Sequence, residues 1–378
     1  MPQPGHTALG AWSGGRFLHF GAPIEEDRLE ALLRPDDAIS TIVTADAYGA
    51  GEADKVVGRA IAGLPRDAFS LVGAIGHDFY EGEREGPKGF PRFTDPRLRG
   101  PDGFADYVRR AVEASLDRCG TDAFDVLLLH NPDRTGYTSE VVWDALEAVR
   151  AEGLTASLGV APGPANGFTL DVLDCLERFG DRIDWAMVIL NPLEPWPGEL
   201  VLDACAARGV DVLTRVVDYG GLFWGDVRAG HEFPRFDHRR FRPDGWVERG
   251  LERLERMRPV AARHGLTDMG LACAWDLAHP AVRCVAPTLI QEPTPDARPI
   301  EDKRAELAAV PAASPLSAEE VEEVRAIGDN TGSMLLKGAT PDHDGDALPD
   351  RWGLDPDLVE LGRRWGIDAE RDLARAAS

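Results

Sequence analysis

Eight short apolar runs alternate with segments of helical periodicity, and this alternation constrains the fold of the chain more than any other feature. The intervening segments repeat apolar residues at helical spacing, as in Phe104–Leu116 and Val141–Val149. Strands that alternate with helices form parallel sheets, and eight such units close into a barrel. The sequence therefore predicts an α/β protein built as a (β/α)8 TIM barrel. The predicted strands are Thr7–Trp12, Thr41–Ala45, Phe69–Ile75, Phe124–His130, Ala156–Val160, Trp185–Leu190, Asp211–Val217 and Val282–Pro287.

Three long segments interrupt this rhythm, and each follows a predicted strand: His77–Gly103, Asp218–Gly245 and Leu289–Arg304. Loops in that position lie on the C-terminal face of a barrel, where binding and catalytic residues of this fold collect. We expect residues 1–330 to form the barrel and residues 331–378 to form a C-terminal extension packed on it. The extension contains a repeated phrase, Arg351–Asp355 and Arg364–Asp368, whose two tryptophans we expect to dock on the barrel.

Composition narrows the range of partners and compartments. The 378-residue chain has 65 Asp+Glu against 41 Lys+Arg, a net charge of -24, which excludes nucleic acid and anionic membrane surfaces as expected partners. It contains no apolar run near the ~20 residues that a membrane helix needs, and no signal-peptide pattern at its start. Its five cysteines form no C-x-x-C pair. We expect a cytoplasmic protein that acts on a small molecule.

Several strand-end motifs together resemble those of one enzyme family. Val43–Gly49 reads V-T-A-D-A-Y-G and is similar to the motif D-T-A-x-x-Y-G of the aldo-keto reductases, while Leu128–Asp133 is similar to their L-L-H-x-P-D. The resemblance extends in order over residues 7–330. It implies a barrel that reduces carbonyl groups with NADPH through an Asp, Tyr, Lys, His tetrad, in which Tyr48 and His130 occupy the tyrosine and histidine positions.

The same resemblance exposes departures from the family pattern. Val43 and Ala74 stand where the family has its catalytic aspartate and lysine. Positions that hold the cofactor in the family are also changed, and read Ala161-Pro162, Met187, Thr288 and Glu306 in this chain. Without the lysine, nothing in the motif lowers the pKa of a phenol that is ordinarily near ~10. These changes predict that no cofactor is used, and favour non-redox acid/base chemistry of the lyase or isomerase type on a hydroxylated or carbonyl, sugar-derived substrate.

The catalytic candidates follow from their positions at strand ends. Tyr48 and His130 are predicted to exchange protons with the substrate, and His77 and Asp78 to adjust their acidity. Arg215 is predicted to hold an anionic or carbonyl oxygen. The remaining substrate-binding candidates on the same face are Trp12, Asp46, Asn131, Asn191, Asp218 and Trp224.

Two alternative functions remain open, together with two metal sites. The alternatives are an NAD(P)H-dependent carbonyl reductase with altered cofactor contacts and a catalytically inactive ligand-binding barrel. A divalent metal could be held by His77, His130 and one carboxylate of Asp46, Glu81 or Glu194. The acidic segment Asp342–Asp350 resembles a calcium loop but lacks the glycine of its sharp turn. No residue is assigned to a metal or a cofactor on this reasoning.

Overall fold

The eight predicted strands form one parallel sheet that curves into a barrel. A computed structural model describes residues 2–85, 89–163, 168–331, 335–336, 348–349 and 355–373. Neighbouring strands pair in chain order from β1 to β8, and a parallel bridge between Thr7 and Val285 joins the last strand to the first. The predicted (β/α)8 barrel is confirmed. Its strands are β1 Ala8–Gly10, β2 Thr41–Val43, β3 Ser70–Ile75, β4 Phe124–His130, β5 Thr155–Ala161, β6 Trp185–Ile189, β7 Asp211–Arg215 and β8 Val282–Ala286.

Alternation along each strand divides the side chains between the barrel interior and the helices outside. On β4, for example, Val126 and Leu128 belong to the inner cluster, whereas Leu127 and Leu129 belong to the outer one. Alanines occupy several of the inward positions at or just beyond the carboxyl ends of the strands, so no bulky side chain projects into the barrel from these positions. These alanines are Ala45, Ala74, Ala161 and Ala286.

The helices cover the barrel with their apolar stripes. On α3 the buried residues include Tyr107, Val108, Ala111 and Val112, as the helical periodicity predicts, and the helix ends where Gly120 takes φ 64°. The helices of the barrel are α1 Glu26–Leu33, α2 Glu52–Ile61, α3 Phe104–Cys119, α4 Arg134–Thr138, α5 Glu140–Ala151, α6 Phe168–Phe179, α7 Leu202–Arg208, α8 Trp246–Arg263, α9 Asp268–Leu277, α10 Ile300–Ala308 and α11 Ala318–Gly328.

The described part of the C-terminal segment contacts the barrel. Its elements are β9 Leu335–Leu336, β10 Leu348–Pro349, α12 Pro356–Arg364 and α13 Ala369–Asp372. Arg364 pairs with Glu177 of α6 at 2.6 Å, and the Trp365 indole donates to the same carboxylate at 3.1 Å. Trp352 and most of the predicted calcium loop lie outside the described residues. Within the described part of the chain, each helix is too short or too polar to cross a bilayer.

Candidate functional site at the carboxyl ends of the strands

Tyr48 and His130 meet at the mouth of the barrel, as the sequence predicts. His130 ends β4 in an inward position, and Tyr48 follows β2 in a short helical turn. Their ring centroids are 5.7 Å apart and the rings are nearly perpendicular. Trp12 lies beside Tyr48 with a centroid separation of 6.4 Å. The phenol and the imidazole thus lie side by side above the four inward-facing alanines, which we call the alanine layer.

Arg215 supplies a positive charge to this pair. It lies two residues after the inward-facing Leu213 on β7, so its side chain enters the barrel from the same face of the strand. Burial raises the pKa of Tyr48 to about 12, and the charge of Arg215 opposes that rise. The pKa of His130 is held well below its ordinary value by burial, and His77, Arg215 and Arg92 lower it further. His130 is therefore neutral at physiological pH.

The backbone that carries Arg215 is strained and held from a neighbouring strand. Val216 has φ 61°, a left-handed conformation that is costly for a β-branched residue. Its carbonyl accepts a hydrogen bond from the Asn191 side-chain amide at 3.0 Å, and the Asn191 Oδ1 accepts from the Leu193 N–H. Asn191 therefore supports the turn that orients Arg215, which is a different role from the substrate contact predicted for it.

Sequence reasoning missed Arg92, which a folded-back loop brings to the mouth. The β3 loop (residues 76–103) reverses so that Asp78 N–H donates to Pro91 O at 2.8 Å and Phe93 N–H to Gly76 O at 3.0 Å. Arg92 consequently lies beside His77, with Nη1 2.9 Å from the imidazole Nδ1, and its Nε donates to Asn131 O. No sequence motif predicts the contact between Arg92 and His77, because it depends on how the loop folds back.

His77 is held as a neutral residue behind His130. The two ring centroids are 5.1 Å apart, and the Asn131 amide nitrogen lies 3.1 Å from the His77 Nε2. Burial, and after it the charge of Arg92, lowers the pKa of His77 to about 4. Asn131 thus contacts His77, whereas it was predicted to contact the substrate.

This depressed pKa predicts a stability loss in mild acid. An unfolded histidine takes up a proton below pH ~6.5, while native His77 stays neutral down to about 4, so the free energy of unfolding falls as pH drops through that window. Between pH 7.5 and 5.0 the free energy of unfolding should fall by about 2 kcal/mol less in His77→Gln than in the wild-type chain. Urea titrations of both proteins at the two pH values measure the difference, and parallel losses would contradict the assignment.

Two predicted site carboxylates lie outside the mouth. Asp78 pairs with Arg99 and accepts hydrogen bonds from the Tyr80 and Glu81 N–H groups, so its oxygens are engaged within the β3 loop. Asp46 follows the inward-facing Ala45, and its electrostatic neighbours are Asp54 and Arg118. Burial and the nearby Asp54 raise the pKa of Asp46 well above its ordinary value. Neither carboxylate forms a hydrogen bond with Tyr48 or His130 among the contacts described.

Asp218 and Trp224 join the β7 loop (residues 216–245) to the β8 loop (residues 287–299). Asp218 accepts from the Thr288 N–H at 2.7 Å, and the Trp224 indole donates to Thr288 O at 2.8 Å. Farther along the β7 loop, the buried Arg239 pairs with Asp237 at 2.7 Å and with Glu292 at 2.5 Å. Asp237 in turn accepts from the Gly21 N–H at 2.8 Å, so three loops of this face are tied together.

The metal hypothesis receives no structural support from the described residues, which contain no group of three histidine, cysteine or carboxylate side chains able to hold a metal ion. Glu81 pairs with Arg99 and Arg110, and Glu194 pairs with Arg242, so both carboxylates are engaged elsewhere. His77 and His130 remain close to each other without a carboxylate to complete the site.

Fold and site together define a (β/α)8 barrel with a tyrosine and a histidine facing one another at the carboxyl ends of its strands. The family model of the aldo/keto reductases matches residues 8–329 of this barrel. The chain belongs to the aldo-keto reductase family.

Two characterised relatives are identical to this chain at about a quarter of the aligned residues. A D-threo-aldose 1-dehydrogenase from Pseudomonas sp. is 26% identical over 277 residues, covering 69% of this chain and 79% of its own. A 6-dehydroglucose reductase from Agrobacterium fabrum is 24% identical over 283 residues, covering 72% and 80%. The structure of an aldo/keto reductase from Klebsiella pneumoniae in complex with NADP and acetate aligns with TM-score 0.55 at 23% identity, covering 85% and 90%.

The predicted lyase or isomerase chemistry is wrong on these comparisons, because the relatives are named as a dehydrogenase and a reductase. The expectation that no cofactor is used is likewise unsupported, since the Klebsiella enzyme is described with NADP. The error has a physical source. The absence of lysine at position 74 does not leave Tyr48 without a nearby cation, because Arg215 acts on it from β7.

Proposed function

We propose that the chain is an NAD(P)H-dependent oxidoreductase that interconverts a carbonyl and an alcohol on a small hydroxylated molecule. The observation that carries the proposal is the Tyr48–His130 pair at the mouth of the barrel in the electrostatic field of Arg215. A phenol near a fixed cation can give a proton to a carbonyl oxygen and take it back from an alcohol. The names of the two sugar-related relatives support a sugar-like substrate.

The mouth of the barrel fits the nicotinamide end of such a cofactor. Two buried polar atoms at the mouth, His130 Nδ1 and Arg215 Nε, have no hydrogen-bond partner among the described residues, so a bound polar group can supply one. Ala161 and Met187 offer an apolar surface beside them. Because their side chains carry no amide, hydrogen bonds to the carboxamide would have to come from other groups.

Each protein residue at the mouth has a distinct part in the proposed reaction. A bound reduced nicotinamide supplies the hydride that reaches the carbonyl carbon. Tyr48 gives its hydroxyl proton to the carbonyl oxygen, so an alcohol forms and a phenolate remains to be reprotonated from solvent. Neutral His130 orients the carbonyl oxygen by a hydrogen bond, and Arg215 stabilises the phenolate by its positive charge.

The direct test follows cofactor binding and turnover on the full chain. Titration of NADPH and NADH, read by quenching of tryptophan fluorescence, should give saturable binding of at least one of them. The absorbance of the reduced nicotinamide should then fall when aldoses and keto-sugars are added. Failure of both cofactors to bind would overturn the proposal.

The role of Arg215 predicts a charge-specific loss of activity. Arg215→Gln should lower kcat by about 30-fold, the scale of a hydrogen bond or ion pair to a charged group, while Arg215→Lys should restore most of it. Alcohol oxidation requires ionised Tyr48, so its rate rises with pH, and the neutral variant should shift that rise to higher pH. Equal losses in both variants, with an unchanged pH profile, would instead indicate a packing role.

Removing the negative charge of a carboxylate near the expected adenosine site should increase the affinity for the cofactor. The family resemblance puts Glu306 beside the adenine, and its carboxylate pairs with Arg298 at 2.7 Å. Lys303 is similarly engaged with Asp226 at 2.5 Å. Glu306→Gln removes one negative charge and frees Arg298, so we expect the NADPH dissociation constant to fall about fivefold.

The matched control for this prediction is Glu301→Gln. Glu301 lies on the same helix α10 and loses the same charge, but it pairs with Arg28 at 2.6 Å. Its NADPH affinity should change by less than about twofold. Fluorescence titration of the two variants side by side gives the comparison, and an equal effect in both would indicate a general charge effect with no local role for Glu306.

A further inference from the structure

Two partly buried arginines at the mouth of the barrel differ from other partly or fully buried arginines of the chain. Arg99, Arg118 and Arg239 pair with Asp78, Asp54 and Asp237, as expected for buried cations in a chain of net charge -24. Arg92 and Arg215 form no ion pair with a carboxylate among the residues that the structure describes. They are also the two described arginines whose pKa is lowered, in both cases mainly by burial.

Neutral partners hold both guanidinium groups in place. Arg92 contacts the His77 Nδ1 at 2.9 Å and the Asn131 and Phe90 carbonyls, the latter at 3.4 Å. Arg215 donates through Nη2 to the Pro162 carbonyl at 3.1 Å, and its buried Nε has no partner. Each side chain therefore keeps its full positive charge, since none of these contacts is with an anion.

The two charges converge on one place. Arg92 donates through Nε to the carbonyl of Asn131, the residue after His130. Arg215 donates to the carbonyl of Pro162, which follows Ala161, the register partner of His130 on the neighbouring strand. Both charges accordingly lower the pKa of His130, after burial and His77, and Arg215 also acts on Tyr48.

One carboxylate acts on each arginine, Asp133 on Arg92 and Glu194 on Arg215, but both have other partners. Asp133 caps α4 by accepting from the Gly136 N–H at 2.8 Å, and Glu194 pairs with Arg242 at 3.1 Å. The two cations beside the catalytic pair therefore have no counter-charge from the described residues, and a bound anion would provide one.

We propose that Arg92 and Arg215 together bind an anionic group of the substrate, so that the substrate is a hydroxylated carbonyl compound bearing a carboxylate, such as a sugar acid. Guanidinium groups recognise carboxylates through paired, charge-assisted hydrogen bonds. The carboxylate would lie between the two guanidinium groups, and the rest of the sugar chain would extend towards Tyr48, which protonates its carbonyl. The chemical step rests on the proposed function, but binding of the anion does not.

A matched pair of ligands tests the charge requirement. D-Glucuronate and its neutral amide, D-glucuronamide, differ at one group, and their binding to the full chain can be titrated by calorimetry with and without NADP+. D-Glucuronate should bind at least about tenfold more tightly. Arg92→Gln should remove that preference, while Arg84→Gln should keep it, because Arg84 is an exposed residue of the same β3 loop and loses the same charge.

Three results would overturn the inference. The first is equal affinity for the acid and the amide. The second is equal discrimination in Arg92→Gln and Arg84→Gln, once circular dichroism has shown both variants to be folded. The third is weaker NADP+ binding in Arg92→Gln with unchanged glucuronate binding, which would assign the two arginines to a cofactor phosphate. A fourth result separates the two proposals. If glucuronate binds tightly through Arg92 but no reduced nicotinamide is consumed, this inference holds and the proposed reaction is wrong.

Discussion

Tyr48→Phe is expected to lower kcat for carbonyl reduction by about 10³-fold. The substitution removes the hydroxyl of the ring beside His130, which is proposed to deliver a proton to the carbonyl oxygen, and general acid catalysis contributes on that scale. The ring itself stays, so its contacts with Trp12 and His130 are kept and the dissociation constant for the cofactor should change little. Steady-state rates and fluorescence titration of the cofactor measure the two quantities separately.

Tyr80→Phe is the matched control for this prediction. The Tyr80 hydroxyl accepts a hydrogen bond from Arg118 at 3.2 Å and belongs to the β3 loop, away from the alanine layer. Its loss should change kcat by less than about threefold. A Tyr48→Phe enzyme that retains more than a tenth of the wild-type kcat would show that another group provides the proton, and the assignment of Tyr48 would be wrong.

The barrel could be predicted from sequence because its signals are local. The run Phe124–His130 is a strand over the predicted range, and Trp185–Leu190 differs from the observed strand by one residue. Such runs are recognised by length and apolar content, and the helices between them by their spacing. Strand ends were less accurate: β2 ends at Val43, two residues before the predicted end, because the chain turns there towards Tyr48.

The site could be predicted where the strands themselves carry it or, as at Tyr48, where the family motif marks the turn after a strand. His130 and Arg215 end their strands in inward positions, as the alternation of side chains along a strand predicts. The same alternation explains why the predicted substrate contact of Asp46 is not supported, because its neighbour Ala45 faces inward. Asp78 and Arg92 belong to the β3 loop, where no periodicity applies. The reversal that pairs Gly76 with Phe93 decides which of the two side chains reaches the mouth, and it brings Arg92 there.

The family motif was misleading in a specific way. Val43 and Ala74 remove two charges from the positions where the family has them, and a position-by-position comparison counts this as a lost function. Electrostatic support for a tyrosine depends on distance and burial, so a cation from the other side of the mouth can serve as well. Arg215 enters from β7, five strands further along the chain than the turn that carries Tyr48.

Arg239→Met is expected to lower the free energy of unfolding by about 3–5 kcal/mol. Arg239, Asp237 and Glu292 are all nearly inaccessible to solvent, with side chains at most 1% exposed. Removing the guanidinium leaves two buried carboxylates without their cation, which is the costly way to break a buried ion pair. Urea denaturation of the full chain measures the loss. A decrease below about 1 kcal/mol would mean that water enters the β7 loop and replaces the ion pairs.

The two carboxylates should contribute unequally to this cost, which gives the prediction a second test. Asp237 keeps the Gly21 and Arg239 backbone N–H groups as donors after the substitution. Glu292 keeps no such backbone donor among the contacts described and is left with His231, 3.4 Å away, and the charge of Lys303. The double variant Arg239→Met/Glu292→Gln should therefore recover about half of the lost stability. Arg258→Met, which breaks exposed pairs with Glu255 and Asp268, should cost less than about 1 kcal/mol. If both arginine variants lose the same stability, burial has no special part in tying the β7 loop to its neighbours.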